Sequence, residues 1–370
     1  MVNFNIFKYF RRFICKIISF SVYWIILSTI LPNFISNLNY FNSNNESKDI
    51  KTDYFSEHTS FYNLNSHEII NNKLNKPITN SDIVLVIAHP DDESMFFGPS
   101  ILELSKKNYS NNFHIICLSN GDYDNLGEIR YNEFIKSSSI LGLNPSNVKI
   151  YDAQNGGFND NINENWDLLK LEKLILNSLE NDLKLNKSIV NFLTFDKLGV
   201  SNHPNHKSIY YGLNKLIKNL QHFSSLTNTK SDNQIDTDYS VLENKQVNLW
   251  TLRTLPVYLK YSSNFITNFE LLIKYIKTIS SDNLIDKFIS LKKIILNSLN
   301  QSKIIDYSNF NLLESNNSIK IFADVNSWFV NMASMTFAHY SQIVWFRWFW
   351  LLFSKYLNSN ELILDSSVDF

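Results

Sequence analysis

Five branched aliphatic residues, Ile83 to Ile87, lead through Ala88 into His89-Pro90-Asp91-Asp92-Glu93. An apolar run of that length is the pattern of a strand covered on both faces in a parallel sheet. Ligands of such sheets gather beyond the carboxyl ends of the strands. One imidazole and three carboxylates therefore arrive together at the mouth of a sheet. Packed side by side, the acids repel one another unless a cation or solvent compensates them. A solvated acidic turn accounts for Asp-Asp-Glu alone. The preceding strand and two histidines downstream favour a metal site.

The 370 residues allow one or two domains, and an apolar fraction of 44% suffices for a substantial core. A net charge of −1 leaves no broad basic surface, which excludes a general nucleic-acid binder. The two cysteines, Cys15 and Cys117, have no evident disulfide partner, in keeping with a reducing compartment.

Lys8, Arg11, Arg12 and Lys16 precede an uncharged stretch, Ile17 to Ile35, whose 19 residues meet the length of a bilayer-crossing helix. No small-residue cleavage site follows, so a membrane anchor is expected over residues 1–36. The basic cluster alone would put the N-terminus in the cytosol and the remainder across the membrane. Residues 37–80 are rich in Asn and Ser and read as a tether of low order.

Alternating strands and helices from Ser81 predict an α/β fold, a Rossmann-like three-layer sandwich with a largely parallel sheet. Helices are expected over 94–107, 127–141 and 165–185, with further strands over 113–118, 147–151, 189–195 and 247–251. The catalytic domain is bounded at 81–262, with 224–244 an exposed insertion. Residues 263–370 are expected as a helical C-terminal extension. Its stretch Trp328–Tyr356 is rich in aromatic residues, among them Trp328, Phe329, Trp345, Phe346, Trp348, Phe349 and Trp350, with Arg347 and Lys355 interleaved. That pattern suits a helix in a membrane interface, and equally a core or partner-facing helix.

The strand 189–195 runs into Asp196, and the loop beyond holds His203-Pro204-Asn205-His206. Pro204 suits the first position of a helix, where its missing N–H is no loss. Both histidines then stand at the lip of a second strand-to-helix connection. A catalytic zinc takes three protein ligands and leaves one position for water. His89 and Asp92, three apart in a tight turn, can converge on one ion, with His206 as third ligand. The ion would bring its water's pKa towards about 7 and polarise a carbonyl. Asp91 is the candidate general base. His203 is the candidate to stabilise an oxyanion or protonate a departing nitrogen. The constellation is that of an amide or ester hydrolase.

Ala88-His-Pro-Asp-Asp-Glu93, Thr194-Phe-Asp196 and Gly199-Val-Ser-x-His-x-Asn-His206 resemble the PIG-L/LmbE-like family of zinc-dependent de-N-acetylases. The resemblance is to its eukaryotic branch, the N-acetylglucosaminyl-phosphatidylinositol de-N-acetylases. Met95-Phe-Phe, Asn120-Gly with Gly127-Glu128 and Arg130, and Trp345-Phe-Arg347 with Phe353-Ser354 are further echoes. The resemblance implies removal of the acetyl group from N-acetylglucosaminyl-phosphatidylinositol, the second step of glycosylphosphatidylinositol anchor synthesis. It implies His89, Asp92 and His206 as ligands of Zn2+ or another divalent cation, Asp91 as base, His203 as electrophilic or acid partner, and Arg130 on the substrate side. Bacterial relatives carry Asp where this chain has Asn205. The resemblance also implies a single-pass protein of the endoplasmic-reticulum membrane with its catalytic domain on the cytosolic face, against the charge rule and with the unpaired cysteines.

Two other functions fit the same residues. One is a de-N-acetylase of another N-acetyl sugar conjugate. The other is an inactive, membrane-tethered binding or scaffold subunit.

Overall fold

The computed structural model describes residues 11–16, 18–19, 23, 78–227, 237–262, 266, 318–323 and 325–365. The chain divides into two compact units, residues 1–73 with 262–316 and residues 74–261 with 317–370. In the first unit, residues 11–16 are helical. Most of the expected anchor (17–35), of the tether (37–80) and of the segment 265–317 lies outside the described residues. No helix among the described residues is long and apolar enough to cross a membrane.

The second unit is built on a seven-stranded sheet of order β3-β2-β1-β4-β5-β7-β6. Its strands are β1 (Asp82–Ile87), β2 (Asn112–Cys117), β3 (Val148–Ile150), β4 (Ile189–Phe195), β5 (Gln246–Leu252), β6 (Ser318–Phe322) and β7 (Ser359–Leu364). The first five are parallel, while β7 runs antiparallel to both β5 and β6. In chain order its main helices are α1 (Asp92–Met95), α2 (Gly98–Leu104), α3 (Gly127–Ile140), α4 (Leu168–Asn177), α5 (Pro204–Thr227), α6 (Val257–Lys260), α7 (Val325–Ala333) and α8 (Trp345–Phe353), with a distorted turn over Gly199–Asn202 before α5.

Strand β1 shows why its sequence is apolar throughout. Ile83, Leu85 and Ile87 enter one core with Ile101 of α2, Phe134 of α3 and Met335, Trp350 and Tyr356 of the C-terminal segment. Val84, Val86 and Ala88 enter a second core with Leu171 and Ile175 of α4 and Ile209 and Leu213 of α5. Both faces of the sheet are covered, as a fully apolar strand demands. The order reverses between β1 and β4, which leave the sheet side by side in the same direction.

Several expectations are corrected. The helix expected over 94–107 breaks at Phe96-Phe97 into α1 and α2, because both rings turn into the core, where each packs edge-on against Phe195. The helix expected over 165–185 ends at Asn177 and continues as a wider π turn over Ser178–Asp182. The insertion 224–244 is not wholly exposed: Leu242 is buried and the Tyr239 hydroxyl donates to Glu172. From residue 318 the extension is only partly helical: it carries α7 and α8, but it also supplies β6 and β7 to the sheet. The aromatic stretch 328–356 is also broken, with a π turn over Ser334–Ala338 between α7 and α8.

Asn360 secures the added strand. Its side-chain oxygen accepts from the Ser100 N–H (3.0 Å) and hydroxyl (2.7 Å), and its amide donates to the Phe96 carbonyl (2.8 Å). Replacing it leaves buried partners unpaired, at roughly 1–3 kcal/mol per group. Asn360→Ala is expected to lower stability by about 2–3 kcal/mol, read as a shift of the urea midpoint at unchanged slope. A shift worth under about 0.5 kcal/mol would mean that water replaces the amide.

Candidate active site

Asp92 shapes the loop after β1. Its Oδ2 accepts the N–H groups of Ala88 (3.1 Å) and His89 (2.9 Å), curling the chain back over the strand end. Its Oδ1 is left facing His206 Nε2 at 3.3 Å. Asp91 takes up the tight reversal with φ of 115°, a region costly for any residue with a Cβ. Glu93 braces that geometry. One of its oxygens accepts the Asp91 N–H (3.0 Å), and the other accepts from the Ser137 hydroxyl and pairs with His339.

The loop after β4 supplies the facing half. Pro204 opens α5 and His203 is extended before it, as expected of a residue ahead of proline. His206 Nδ1 donates to the Gly199 carbonyl (3.1 Å), and the ring stacks flat on Phe195 at 3.9 Å. That bond fixes the orientation of the ring and turns Nε2 towards Asp92. The Asn205 N–H donates to His203 Nδ1 (3.3 Å), so the His203 hydrogen sits on Nε2. The Asn205 side chain lies against His89, 3.0 Å from Nε2. The ring centroid of His203 is 5.1 Å from that of His89 and 4.9 Å from that of His206.

A tetrahedral ion with bonds of about 2.0–2.1 Å holds its ligand atoms about 3.3 Å apart. The His206–Asp92 separation has that value, and the ligand atoms of His89, Asp92 and His206 all lie within 4.8 Å of one another. Two imidazoles and a buried carboxylate thus fit a small divalent cation in number, chemistry and spacing. His89, Asp160 and His203 form a second set within the same limit.

The electrostatics follow from these contacts. Burial favours the neutral form of Asp92, but His206 and His89 outweigh it and hold the carboxyl far below its ordinary range. Burial depresses His89, yet its hydrogen bond to Asp160 and the charges of Asp92 and Asp160 raise it overall. Burial, then the neighbouring His206 and His89, lower His203 to about 4. At neutral pH His203 is an uncharged hydrogen-bond donor.

All the expected ligands meet, and Asp91 stands beside them without joining them. Its Oδ2 is 2.6 Å from Arg347 Nη2 and 3.5 Å from Arg130 Nη2. Arg130 Nη1 donates to the Gly121 carbonyl (2.8 Å) and Nη2 to that of Pro90 (2.7 Å), so it binds the first loop to the turn after β2. Three participants escaped sequence reasoning. Asp160 is 3.1 Å from His89 Nε2 but lies in an Asn-rich loop with no motif around it. His339 pairs with Glu93 from across the sequence. Arg347 was visible as part of an aromatic motif, without a hint that it reaches Asp91.

A family profile described as GlcNAc-PI de-N-acetylase (PIG-L) matches residues 84–217, a span containing both loops. The N-acetylglucosaminyl-phosphatidylinositol de-N-acetylase of Saccharomyces cerevisiae is 32% identical over 283 residues, covering 76% of this chain and 80% of its own. The "Probable N-acetylglucosaminyl-phosphatidylinositol de-N-acetylase" of Dictyostelium discoideum is 33% identical over 297 residues, covering 79% and 96%. Among solved structures, N,N'-diacetylchitobiose deacetylase from Pyrococcus horikoshii aligns at a TM-score of 0.35 and 20% identity, over 67% of this chain and 88% of that one.

Arg130 makes a two-pronged contact that a lysine cannot reproduce from one ammonium. Arg130→Lys is expected to leave a buried carbonyl unpaired and loosen both turns. Amide exchange at residues 89–93 and 119–127 should quicken by roughly 10- to 100-fold, the equivalent of about 1.4–2.8 kcal/mol. Unchanged exchange would show that the fork contributes nothing to the geometry of the loops.

Proposed function

The chain belongs to the PIG-L family of N-acetylglucosaminyl-phosphatidylinositol de-N-acetylases, and from that membership we propose that it hydrolyses the acetamide of N-acetylglucosaminyl-phosphatidylinositol. The products are acetate and glucosaminyl-phosphatidylinositol, in the second step of glycosylphosphatidylinositol anchor synthesis. The observation that carries this reading is the convergence of His89, Asp92 and His206, from two loops over 100 residues apart, with Asp91 alongside. A Rossmann-like, doubly covered sheet with its switch point between β1 and β4 puts that convergence where such folds bind ligands.

His89, Asp92 and His206 would hold the divalent cation of this metal-dependent family, zinc by the chemistry of the donor set. Bound there, the cation supplies Lewis acidity that sharpens a water and polarises the acetamide carbonyl. The protein's own groups account for the protons. Both guanidinium contacts of Asp91 fall on Oδ2, so Oδ1 is the oxygen to take a proton from the attacking water. The water oxygen bonds to the carbonyl carbon, and the C=O electron pair moves onto oxygen. His203 offers Nε2–H to that oxyanion, a part suited to an imidazole that is neutral at pH 7. Collapse breaks the C–N bond, the nitrogen takes the proton held by Asp91, and the acetic acid released gives up its own proton to the free amine or to solvent, leaving as acetate. The oxyanion role is favoured over a resting acid for His203, since an imidazole lowered to about 4 carries no extra proton near neutrality.

The endoplasmic-reticulum membrane, with the catalytic unit facing the cytosol, belongs to the same proposal. Two free cysteines, one exposed and one buried, support a reducing side.

Asp91→Asn should lower kcat by roughly 10²- to 10⁴-fold in acetate release, with the bound metal retained. Asp92→Ala and His206→Ala should lose the metal together with the activity, measured by elemental analysis of the purified chain. Acetate release that survives Asp91→Asn would remove Asp91 from the chemistry. Preferential turnover of a water-soluble N-acetylglucosaminide over the glycolipid would redirect the substrate assignment.

A further inference from the structure

Helix α8 turns its apolar stripe the wrong way for a protein in water. Trp345, Trp348, Phe349 and Leu352 follow the i, i+3, i+4, i+7 spacing of one helical face, and they are 82%, 54%, 48% and 61% exposed. The opposite side is occupied: Arg347 reaches Asp91, Leu351 enters the core, and Trp350 packs edge-on against Phe96 at 5.3 Å. The exposed face continues onto α6, because the Tyr261 ring lies 5.2 Å from that of Phe349. Val257 and Tyr258 are exposed there as well. Contiguous apolar surface of this kind marks a docking site.

We propose that this face of α8, extended by α6, seats on the surface of a phospholipid bilayer and presents a lipid-borne headgroup to the catalytic loops. The proposal rests on the function proposed above only for the lipid nature of the substrate. Three observations select a bilayer as occupant. Trp-rich and Phe-rich faces lie at membrane interfaces, and residues 325–360 hold no carboxylate, only the cations Arg347 and Lys355, so nothing in the segment repels anionic headgroups. Nine residues make a helix about 13–14 Å long, too short to cross about 30 Å of hydrocarbon, so it lies in the plane. The face also adjoins the site. Arg347 leaves the same helix to meet Asp91 Oδ2 at 2.6 Å, so lipid contact and chemistry are separated by about one helix diameter, roughly 10–12 Å. A headgroup of two six-membered rings, attached to its acyl chains through a phosphate, can bridge that gap while the chains stay in the bilayer.

The test uses the full chain carrying Cys15→Ser, since Cys117 is buried. Single nitroxide labels replace Trp348, Leu352 or, as a water-exposed reference, Tyr123, in vesicles of phosphatidylcholine and phosphatidylinositol. Collisions with oxygen and with a water-soluble nickel chelate are measured at each position. Immersion in lipid is expected to raise oxygen collisions and lower nickel collisions several-fold at 348 and 352 relative to 123. Equal exposure to both quenchers at all three positions would overturn the proposal. Loss of both kinds of collision would overturn it too, by showing a protein surface over the helix. In a second arm, Trp345→Ser combined with Trp348→Ser should cut acetate release from vesicle-borne substrate at least tenfold and spare a water-soluble headgroup analogue. Equal losses on both substrates would count against docking. If neither substrate is turned over by the unsubstituted chain, the proposed reaction fails, while the labels still report docking independently.

Discussion

The parallel pairing of β1 with β4 is the constraint from which the site follows. Leu85 is opposite Leu193, and the Thr194 hydroxyl donates to the Val86 carbonyl at 2.8 Å. Two strands that leave a sheet as neighbours, in the same direction, deliver their loops to one place. Loop-closure entropy across a hundred residues is met by the sheet and by the two cores on its faces. Ligand geometry then needs only short-range devices: Asp92 curling the first loop over its own backbone, and Gly199 holding the His206 ring in the second.

Those devices are short in sequence, and this explains why they were legible. The apolar run, the acidic turn, proline at the start of α5 and the strand Ile189–Phe195 are local patterns with local causes. What stayed hidden depends on contacts across the fold. Asp160 has no neighbours in sequence that mark it, and its role appears only when its loop folds against His89. The strands β6 and β7 were missed because they pair antiparallel at the sheet edge, after a segment whose spacing looked helical. The long aromatic stretch hid its break because a π turn over Ser334–Ala338 leaves the composition untouched. That turn directs Met335 into the core and brings His339 to Glu93.

The antiparallel edge has a consequence for the chemistry. Strand β7 ends the segment that carries α7, the π turn and α8, and the Asn360 side chain ties it to Ser100 and Phe96 directly behind the first loop. That segment therefore lies over the carboxyl ends of the parallel strands. From there it contributes His339 to Glu93 and Arg347 to Asp91.

Counting charge in the site shows why those contributions are needed. Asp91, Asp92, Glu93 and Asp160 are gathered around one strand end, where, among the described residues, Arg130 is the only cation other than histidines that the parallel α/β portion pairs with them. Four carboxylates with little water between them would protonate or push the loops apart. Arg347 opposite Asp91 and His339 opposite Glu93 compensate two of them. His339 is held above its ordinary value even though burial pulls it down, because the charge of Glu93 prevails. Asp160 is held low despite its burial, by its bond to His89 and the charges of His89 and Arg130. Asp92 is left facing His206 at 3.3 Å and His89 at 4.0 Å, with no cation from the C-terminal segment opposite it among the described residues. The C-terminal segment thus does more than cover the sheet: it compensates Asp91 and Glu93, which are not ligands, and leaves the charge of Asp92 to the position where a divalent cation would be held.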